Sequence, residues 1–473
     1  MNNLVIDMTH GGVKIAVSLA KKGRNVLAYD IYNTLNVIDR KMLEVYDVWL
    51  LDDLSELAKY RGEMRIIYPV HLPLTHEEIT RNNPDLKYSF ITHHAIVREL
   101  LEDWGDDIKK IEITGVKGKT SSVFMLKEIL IDENPLILSS LGALLYEDKK
   151  EIVLKRDISI TPANIKETID LAYKIANPIC KIADGVVESE NLRKYNSAIF
   201  ESSLGASGIG DVGLLTNISE NYTIAKDRLK ASDAKRQIFD CPTVVCNKES
   251  LDEYYSDVVH PKINTFSISD EDANLYAESV SYSVDKTEIR VRYKDVKTVN
   301  DKILNGTMTV ETFAPGRHHV WNVLGVILTG LALEIDENKI INGLANFNGI
   351  TGRTTKRSNG NFTIIEEINP GINTDAIRQS IEMIDNLDGW YVAIGGDYGI
   401  TCEEIDESKV AEYLESLDCE IILTGDVGSS IAGKMTKTIT SIKDYTEVYD
   451  LALKNDKNLL FIYRSDYRKV SQR

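Results

Sequence analysis

Cysteine is scarce: Cys180, Cys241, Cys246, Cys402 and Cys419 are the only five in 473 residues, and no two form a Cys-x-x-Cys pair. An odd, scattered set excludes a disulfide framework and a thiolate zinc site. It predicts reduced thiols, mostly buried as small hydrophobes, in a cytoplasmic protein. Long apolar runs are missing too. The longest, Val320 to Ile335, falls short of the ~20 residues that cross a bilayer and carries Asn322 and Gly325 inside it, so no membrane role is expected. Met1-Asn2-Asn3-Leu4 has no basic stretch and runs straight into a strand-like segment, unlike a signal peptide. Positive charge is in deficit, with a formal net charge of -18. Nucleic acid is therefore excluded as a partner, and a polyanionic substrate would have to be met by a local basic patch. Internal repeats and low-complexity tracts are absent. What is present, 43% hydrophobic and 27% charged residues, describes a globular α/β chain with length for about three domains.

The stretch that organises the rest is Ile111-Glu112-Ile113-Thr114-Gly115-Val116-Lys117-Gly118-Lys119-Thr120-Ser121-Ser122. A short apolar run ends in two glycines, and a Lys-Thr-Ser triplet opens a helix reaching Ile131. Such a turn is a phosphate cradle: glycines let backbone N–H groups point inward, the helix start offers unpaired donors, and a lysine adds a point charge. Lys119 is placed for the β- and γ-phosphates of ATP, and Thr120 for Mg2+. The eight-residue P-loop spacing is not met, because Ile113 stands where its first glycine would fall. This is a shortened Gly-x-x-Gly-Lys-Thr form.

Residues 1–107 read as a first α/β domain. A strand over Leu4–Asp7, a helix over Val13–Lys22 and a strand over Asn25–Asp30 make a Rossmann-like start that lacks the full Gly-x-Gly-x-x-Gly fingerprint. Thr9-His10-Gly11-Gly12 is then a ligand-facing loop at a strand's carboxyl end, or His10 simply bonds to backbone. His93-His94 opens a helix. Two adjacent histidines can bind a metal or an anion, although one of such a pair commonly caps or packs the helix. Residues 108–336 carry the chemistry. Ser197 to Glu201 is an apolar strand that delivers a carboxylate to its carboxyl end, beside the magnesium position if it neighbours the cradle strand. A glycine-rich loop over 205–210, strands at Val212–Thr216 and Thr243–Asn247, an amphipathic Arg228–Phe239 and an alternating, hairpin-like Ser279–Val299 follow. Residues 337–473 repeat α/β logic, with strands near Phe362–Ile368, Trp390–Gly395, Glu420–Thr424 and Leu459–Tyr463 and a solvated helix over Glu403–Leu417.

In order along the chain, these stations resemble the Mur ligase superfamily. Thr114 to Ser121 resembles its ATP loop and Glu201-Ser202-Ser203 its magnesium glutamate. Leu215 to Ser219 resembles its Thr-Asn-Ile-Ser strand end, and Ala234-Lys235 the segment whose lysine is carbamylated in many members. Gly316-Arg317-His318-His319 through Asn322 is similar to the adenine-side stretch, Gly352-Arg353 to the phosphate-contacting arginine and either Glu366 or Glu367 to the ribose-binding acid. Asn221-Tyr222 stands where most members carry Asp-His, so the usual histidine of a second magnesium site is lacking. The resemblance implies a three-domain architecture: a Rossmann-like substrate-binding domain, a central P-loop ATP-binding domain and a Rossmann-like ligase domain. It also implies ATP and Mg2+, with Gly115, Lys117, Gly118, Lys119, Thr120, Ser121, Asn322, Arg353 and Glu367 on the nucleotide, Thr120 and Glu201 on the metal, and Lys119, Glu201, Lys235 and Arg353 in catalysis.

Asp7 to Gly12, Thr92-His93-His94 and Ser203-Leu204-Gly205 resemble the branch that closes a ring on a nickel tetrapyrrole in methanogenic archaea. That implies a tetrapyrrole substrate held near His10, Gly11, Gly12, His93 and His94, with nickel, where present, held by the macrocycle. An amide ligase of pseudomurein or peptidoglycan type and an ATP-dependent tetrapyrrole carrier stay open as alternatives.

Overall fold

The computed structural model describes residues 1–176, 180–182, 185–187, 195–359, 362–384, 386–399, 405–466 and 470. The Cys180 side chain, Cys402 and the start of the helix expected over Glu403–Leu417 lie outside the described residues. The chain divides into two compact units. One gathers Met1–Ala277, Arg292–Thr307 and Leu324–Gly343, and the other Glu278–Val291, Met308–Val323 and Leu344–Arg473.

The first unit contains a five-stranded sheet made of β1 (Asn2–Ile6), β2 (Asn25–Tyr29), β3 (Trp49–Leu51), β4 (Glu63–Tyr68) and β5 (Lys87–Thr92), in the order 3-2-1-4-5 and parallel throughout. Runs such as Leu4-Val5-Ile6 and Ile66-Ile67 are buried on both faces, as a parallel sheet covered by helices requires. A larger sheet is centred on β6 (Lys109–Thr114). Its parallel neighbours are the strands Ser197–Glu201 and Val212–Leu215, and Thr243–Asn247 pairs beyond the latter. Between the sheets lies the helix Pro162–Ala176. Ile165, Ile169 and Ala172 join Val5, Ile67, Ile96, Val97, Leu138 and Phe200 in one apolar cluster. Burying several such side chains, each contributing roughly 1.5–3 kcal/mol, fixes one sheet's strand ends against the other's.

The amphipathic Arg228–Phe239 stretch is not one helix. A short strand at Leu229–Lys230 gives way to a helix over Ala231–Lys235, which tightens to a 3-10 turn over Arg236–Asp240. Apolar spacing over so few residues does not distinguish the two pitches. The expected Ser279–Val299 hairpin is part of three long strands, Leu275–Ser281, Thr287–Lys297 and Ile303–Thr312, at one end of the sheet order.

The second unit holds a six-stranded sheet whose centre is Phe362–Ile368, Asn458–Arg464, Trp390–Gly396 and Glu420–Thr424, all parallel. Cys241 and Cys246 are buried free thiols and Cys419 is a half-buried one. Among the described residues no helix is long and apolar enough to cross a membrane.

Candidate active site

β6 ends in the cradle. Gly115 has φ 141° and Gly118 φ 83°, backbone that a side chain at either position would strain. A Cβ on Gly115 would also stand 2.0 Å from Thr216 Oγ1. The loop is gripped from the next strand end: Val116 N donates to Asn217 O (2.9 Å), Lys117 N to Asn217 Oδ1 (3.2 Å) and Thr216 Oγ1 to Lys117 O (2.6 Å). The Thr-Asn pair after Leu215 is thus the clamp that shapes the loop. The helix Lys119–Ile129 starts directly after Gly118, so its first-turn amides lie at the loop. Lys119 Nζ is held by the carbonyls of Gly115 (3.0 Å) and Val116 (3.3 Å).

Glu201 ends the strand paired with β6, and this neighbouring position brings it to the cradle. Thr120 Oγ1 lies 3.1 and 3.2 Å from the two Glu201 carboxylate oxygens and 3.1 Å from Ser140 Oγ, and Ser140 N donates to Glu201 Oε2 at 3.0 Å. One carboxylate and two hydroxyls around a common point form an oxygen donor set of the kind Mg2+ prefers. With the glycine-bounded loop beside it, the residues present fit a magnesium–nucleotide pair.

Two residues beyond Glu201 the chain enters a second feature, a cleft of about 260 Å³ lined by His10, His71, His94, Thr161, Ser203 and Leu204 among others. Lys235 is fully buried, and its Nζ donates to Ser203 O at 2.5 Å. Burial first, and then the charge of Lys119, hold its pKa well below the usual lysine range. Asn221 pairs with Ser232 in both directions at 3.0 Å and latches the segment carrying Lys235.

The histidines separate by environment. His93 Nε2 donates to Ile6 O at 3.0 Å, and burial lowers its pKa to about 4. His94 is 4% exposed and neither ring nitrogen has a partner; burial, then the neighbouring His93, His71 and Lys235, lower its pKa to about 3. Both rings are neutral in the fold, whereas in the unfolded chain each titrates near 6.5. Above pH 6.5 their contribution is constant. Below it the unfolded state takes up protons that the folded state refuses, so stability is lost down to the folded values. Urea unfolding at pH 5 should show a loss of about 2 kcal/mol per ring relative to pH 7.5, and His94→Leu should remove one ring's share. Equal losses in both proteins would contradict this.

His10 lies on the turn after β1. Gly11, at φ 100°, packs so closely on the helix Pro162–Ala176 that a Cβ would meet Ala163 Cβ at 2.5 Å, and a Cβ on Gly12 would meet Asp7 O at 2.0 Å. Those two glycines let the turn approach its neighbours. In the second unit, Glu367 accepts from Asn369 Nδ2 (2.8 Å) and is bonded to Thr354, which also meets His319 Nε2 at 2.9 Å. Glu366 faces the other way, ion-paired with Arg357 and bonded to Tyr449. Arg353 Nη1 donates to Gly352 O at 2.7 Å, and Asn322 is buried on the helix Arg317–Ala332.

Sequence reasoning passed over Glu112. Fully buried in β6, its carboxylate accepts from Ser207 N (2.8 Å), Ser207 Oγ (2.6 Å), Gly208 N (2.7 Å), Ile209 N (2.9 Å) and Gly210 N (3.3 Å), and so folds the glycine-rich loop. The available signal was a lone acid inside an apolar strand. Glu112→Ala orphans these donors in a dry interior and should cost roughly 3–5 kcal/mol in urea unfolding, with Glu112→Gln recovering part. A cost under about 1 kcal/mol would contradict the assignment.

Residues 356–466 match the family model "Coenzyme F430 synthetase CfbE, C-terminal domain". Along the whole chain the sequence is 27% identical to the coenzyme F(430) synthetase of Methanocaldococcus jannaschii, covering 94% of this chain and 95% of that one. It is 25% identical to the enzyme of the same name from Methanosarcina acetivorans, covering 96% and 98%. The fold is that of the MurF ligase from Thermotoga maritima solved with ADP, with a TM-score of 0.54 and 14% identity over 88% of this chain and 96% of that one. A clamped phosphate cradle on a parallel sheet, taken with these matches, defines the class: the chain has the fold of the Mur ligases, is similar in sequence to coenzyme F430 synthetases, and is an enzyme of the ATP-dependent ligase type. Within that class, the named relatives it resembles from end to end are coenzyme F430 synthetases.

Proposed function

We propose that the enzyme activates a propionate carboxylate of nickel seco-F-430 acid with ATP and closes a carbocyclic ring by intramolecular C–C bond formation, giving coenzyme F-430, ADP and phosphate. The observation that supports this reading is proximity along the chain: Glu201, which is bonded to Thr120, lies two residues before Ser203, which lines the histidine cleft. On this reading the cradle takes the phosphates and the neighbouring cleft takes the substrate. A working division at 1–107, 108–336 and 337–473 assigns the substrate, the phosphates and the rest of the nucleotide to successive domains.

A carboxylate is a poor electrophile until one oxygen becomes a leaving group. Gly115, Lys117, Gly118, Lys119, Thr120 and Ser121 hold the triphosphate, and Lys119 offsets the charge that grows on it. Thr120 and Glu201 would hold Mg2+, which supplies Lewis-acid charge stabilisation. The substrate carboxylate oxygen attacks the γ-phosphorus and the bond to the β-phosphate oxygen breaks, giving an acyl phosphate and ADP. A ring-adjacent carbon of the same molecule then attacks the acyl carbon, phosphate leaves and the carbon sheds its proton. Both partners sit on one macrocycle, so the chain's main work is orientation, which can lower such barriers by ~7–11 kcal/mol. His10, Gly11, Gly12, His93 and His94 are assigned to the macrocycle side. Lys235 keeps the Ser203 carbonyl in place. Arg353, Asn322 and Glu367 take nucleotide roles.

An acyl phosphate route has an isotopic signature. With 18O in the reacting carboxylate, one labelled oxygen should appear in the released phosphate; phosphate without label would end the acyl phosphate reading.

A further inference from the structure

The sheet order 3-2-1-4-5 makes the gap between β1 and β4 a switch point. The chain leaves β1 for β2 on one side and leaves β4 for β5 on the other, so the loops at their carboxyl ends diverge and open a crevice, the usual ligand position in such sheets. Asp7 and His10 lie on the loop after β1, and His71 on the loop after β4. Although 61 residues separate the two histidines, His10 Nδ1 and His71 Nε2 are 3.2 Å apart. Asp7 Oδ2 lies 2.7 Å from the first and 3.5 Å from the second.

Hydrogen bonding alone does not satisfy this triangle. A proton on His10 Nδ1 leaves the His71 lone pair facing the carboxylate. A proton on His71 Nε2 leaves the His10 lone pair facing it at 2.7 Å, and protons on both set two N–H groups against each other. A cation satisfies all three donors at once. Two or three ligand atoms bound at ~2.0–2.1 Å stand roughly 3.0–3.4 Å apart on a tetrahedral or octahedral face, close to the edges seen here. The carboxylate is also prepared for the role. Its other oxygen, Oδ1, is tied by the backbone N–H groups of Thr9 (2.9 Å) and His10 (3.2 Å), which aims Oδ2 at the imidazoles. Asp7 is held at φ 75°, costly for an aspartate and common where function over-determines a backbone.

We propose that Asp7, His10 and His71 form a binding site for a divalent first-row transition-metal ion of the Zn2+, Co2+ or Ni2+ kind. Two imidazoles and one carboxylate suit such ions rather than Mg2+ or Ca2+, which favour oxygen. The donors also fit a free ion rather than one inside a macrocycle, because a tetrapyrrole fills its metal's equatorial positions and leaves a single axial place on each face. Asp7 is fully buried while the His10 and His71 side chains are 43% and 24% exposed, so the open coordination positions face the cleft. There, resting on the function proposed above, the ion takes a carboxylate oxygen of the substrate, and the unpartnered His94 in the same wall offers a further polar contact.

The test uses the full chain, stripped by chelation and titrated with Co2+, reading the visible d–d bands and, in parallel, binding heat. Wild type should saturate at one equivalent in the presence of excess Mg2+. His10→Ala and His71→Ala, on separate loops, should each weaken binding by roughly tenfold or more with an unchanged circular dichroism spectrum. Glu201→Gln should retain the bands, which separates this site from the magnesium site. No saturable bands, equal titrations in wild type and both histidine variants, or loss of the bands in Glu201→Gln alone would each overturn the proposal. No turnover enters the readout, so a failure of the ring-closure reading leaves this result standing.

Discussion

Replacing Lys119 with alanine is expected to lower ATP-driven turnover by roughly 10³-fold or more while leaving the fold intact. The side chain's contacts are with the Gly115 and Val116 carbonyls, whereas the loop's own shape is set by Thr216 and Asn217. Its removal therefore takes away a positive charge and leaves the bonds that shape the loop in place. On the phosphates that charge acts where negative charge accumulates, while the nearby Lys235 is buried and bonded to Ser203 O, its pKa held below the usual lysine range by burial and then by the Lys119 charge. ADP release under saturating Mg2+ gives the measurement, with thermal unfolding as the control for folding. A variant keeping more than about a tenth of wild-type turnover would remove Lys119 from its assigned role.

Glu201→Gln carries the second large effect. The amide keeps an oxygen able to accept from Ser140 N and Thr120 Oγ1, so the geometry around the cradle survives. What is lost is the negative charge that binds a hard cation. Turnover should fall by roughly 10²–10³-fold, and the Mg2+ concentration for half-maximal rate should rise by about tenfold or more. Superimposable Mg2+ curves for variant and wild type would show that the carboxylate does not hold the metal.

How far each feature was legible depends on whether its causes are local. The cradle could be read because Gly115, Gly118, Lys119 and Thr120 are neighbours whose backbone needs are written in their types. Glu201 could be read because a parallel sheet sends its strand ends to one edge, so an acid ending an apolar strand has a predictable place. The Asp7–His10–His71 triangle was half legible: His10 stood out beside two glycines, but its pairing with His71 arises from the adjacency of β1 and β4, which no local spacing encodes. His93 and His94 looked equivalent in sequence. The helical turn that starts with them gives one a carbonyl partner and sends the other, unpaired, into the cleft wall. Glu112 was hidden because its partners are backbone amides almost a hundred residues away. Glu366 and Glu367 could not be told apart without the strand's alternation, which gives Glu367 to Thr354 and Glu366 to Arg357.

The central claim is ATP-driven ring closure on a nickel tetrapyrrole. The most direct measurement is ADP release by the purified enzyme with ATP and Mg2+, offered nickel seco-F-430 acid in one arm and amino acids with peptidoglycan-type precursors in the other, while the ultraviolet-visible spectrum is followed. Spectral conversion of the tetrapyrrole in step with ADP, without any added amine and lost in Lys119→Ala, is the predicted result. ADP release that needs an amine and leaves the tetrapyrrole unchanged, or ATP binding with turnover of no substrate, would contradict it.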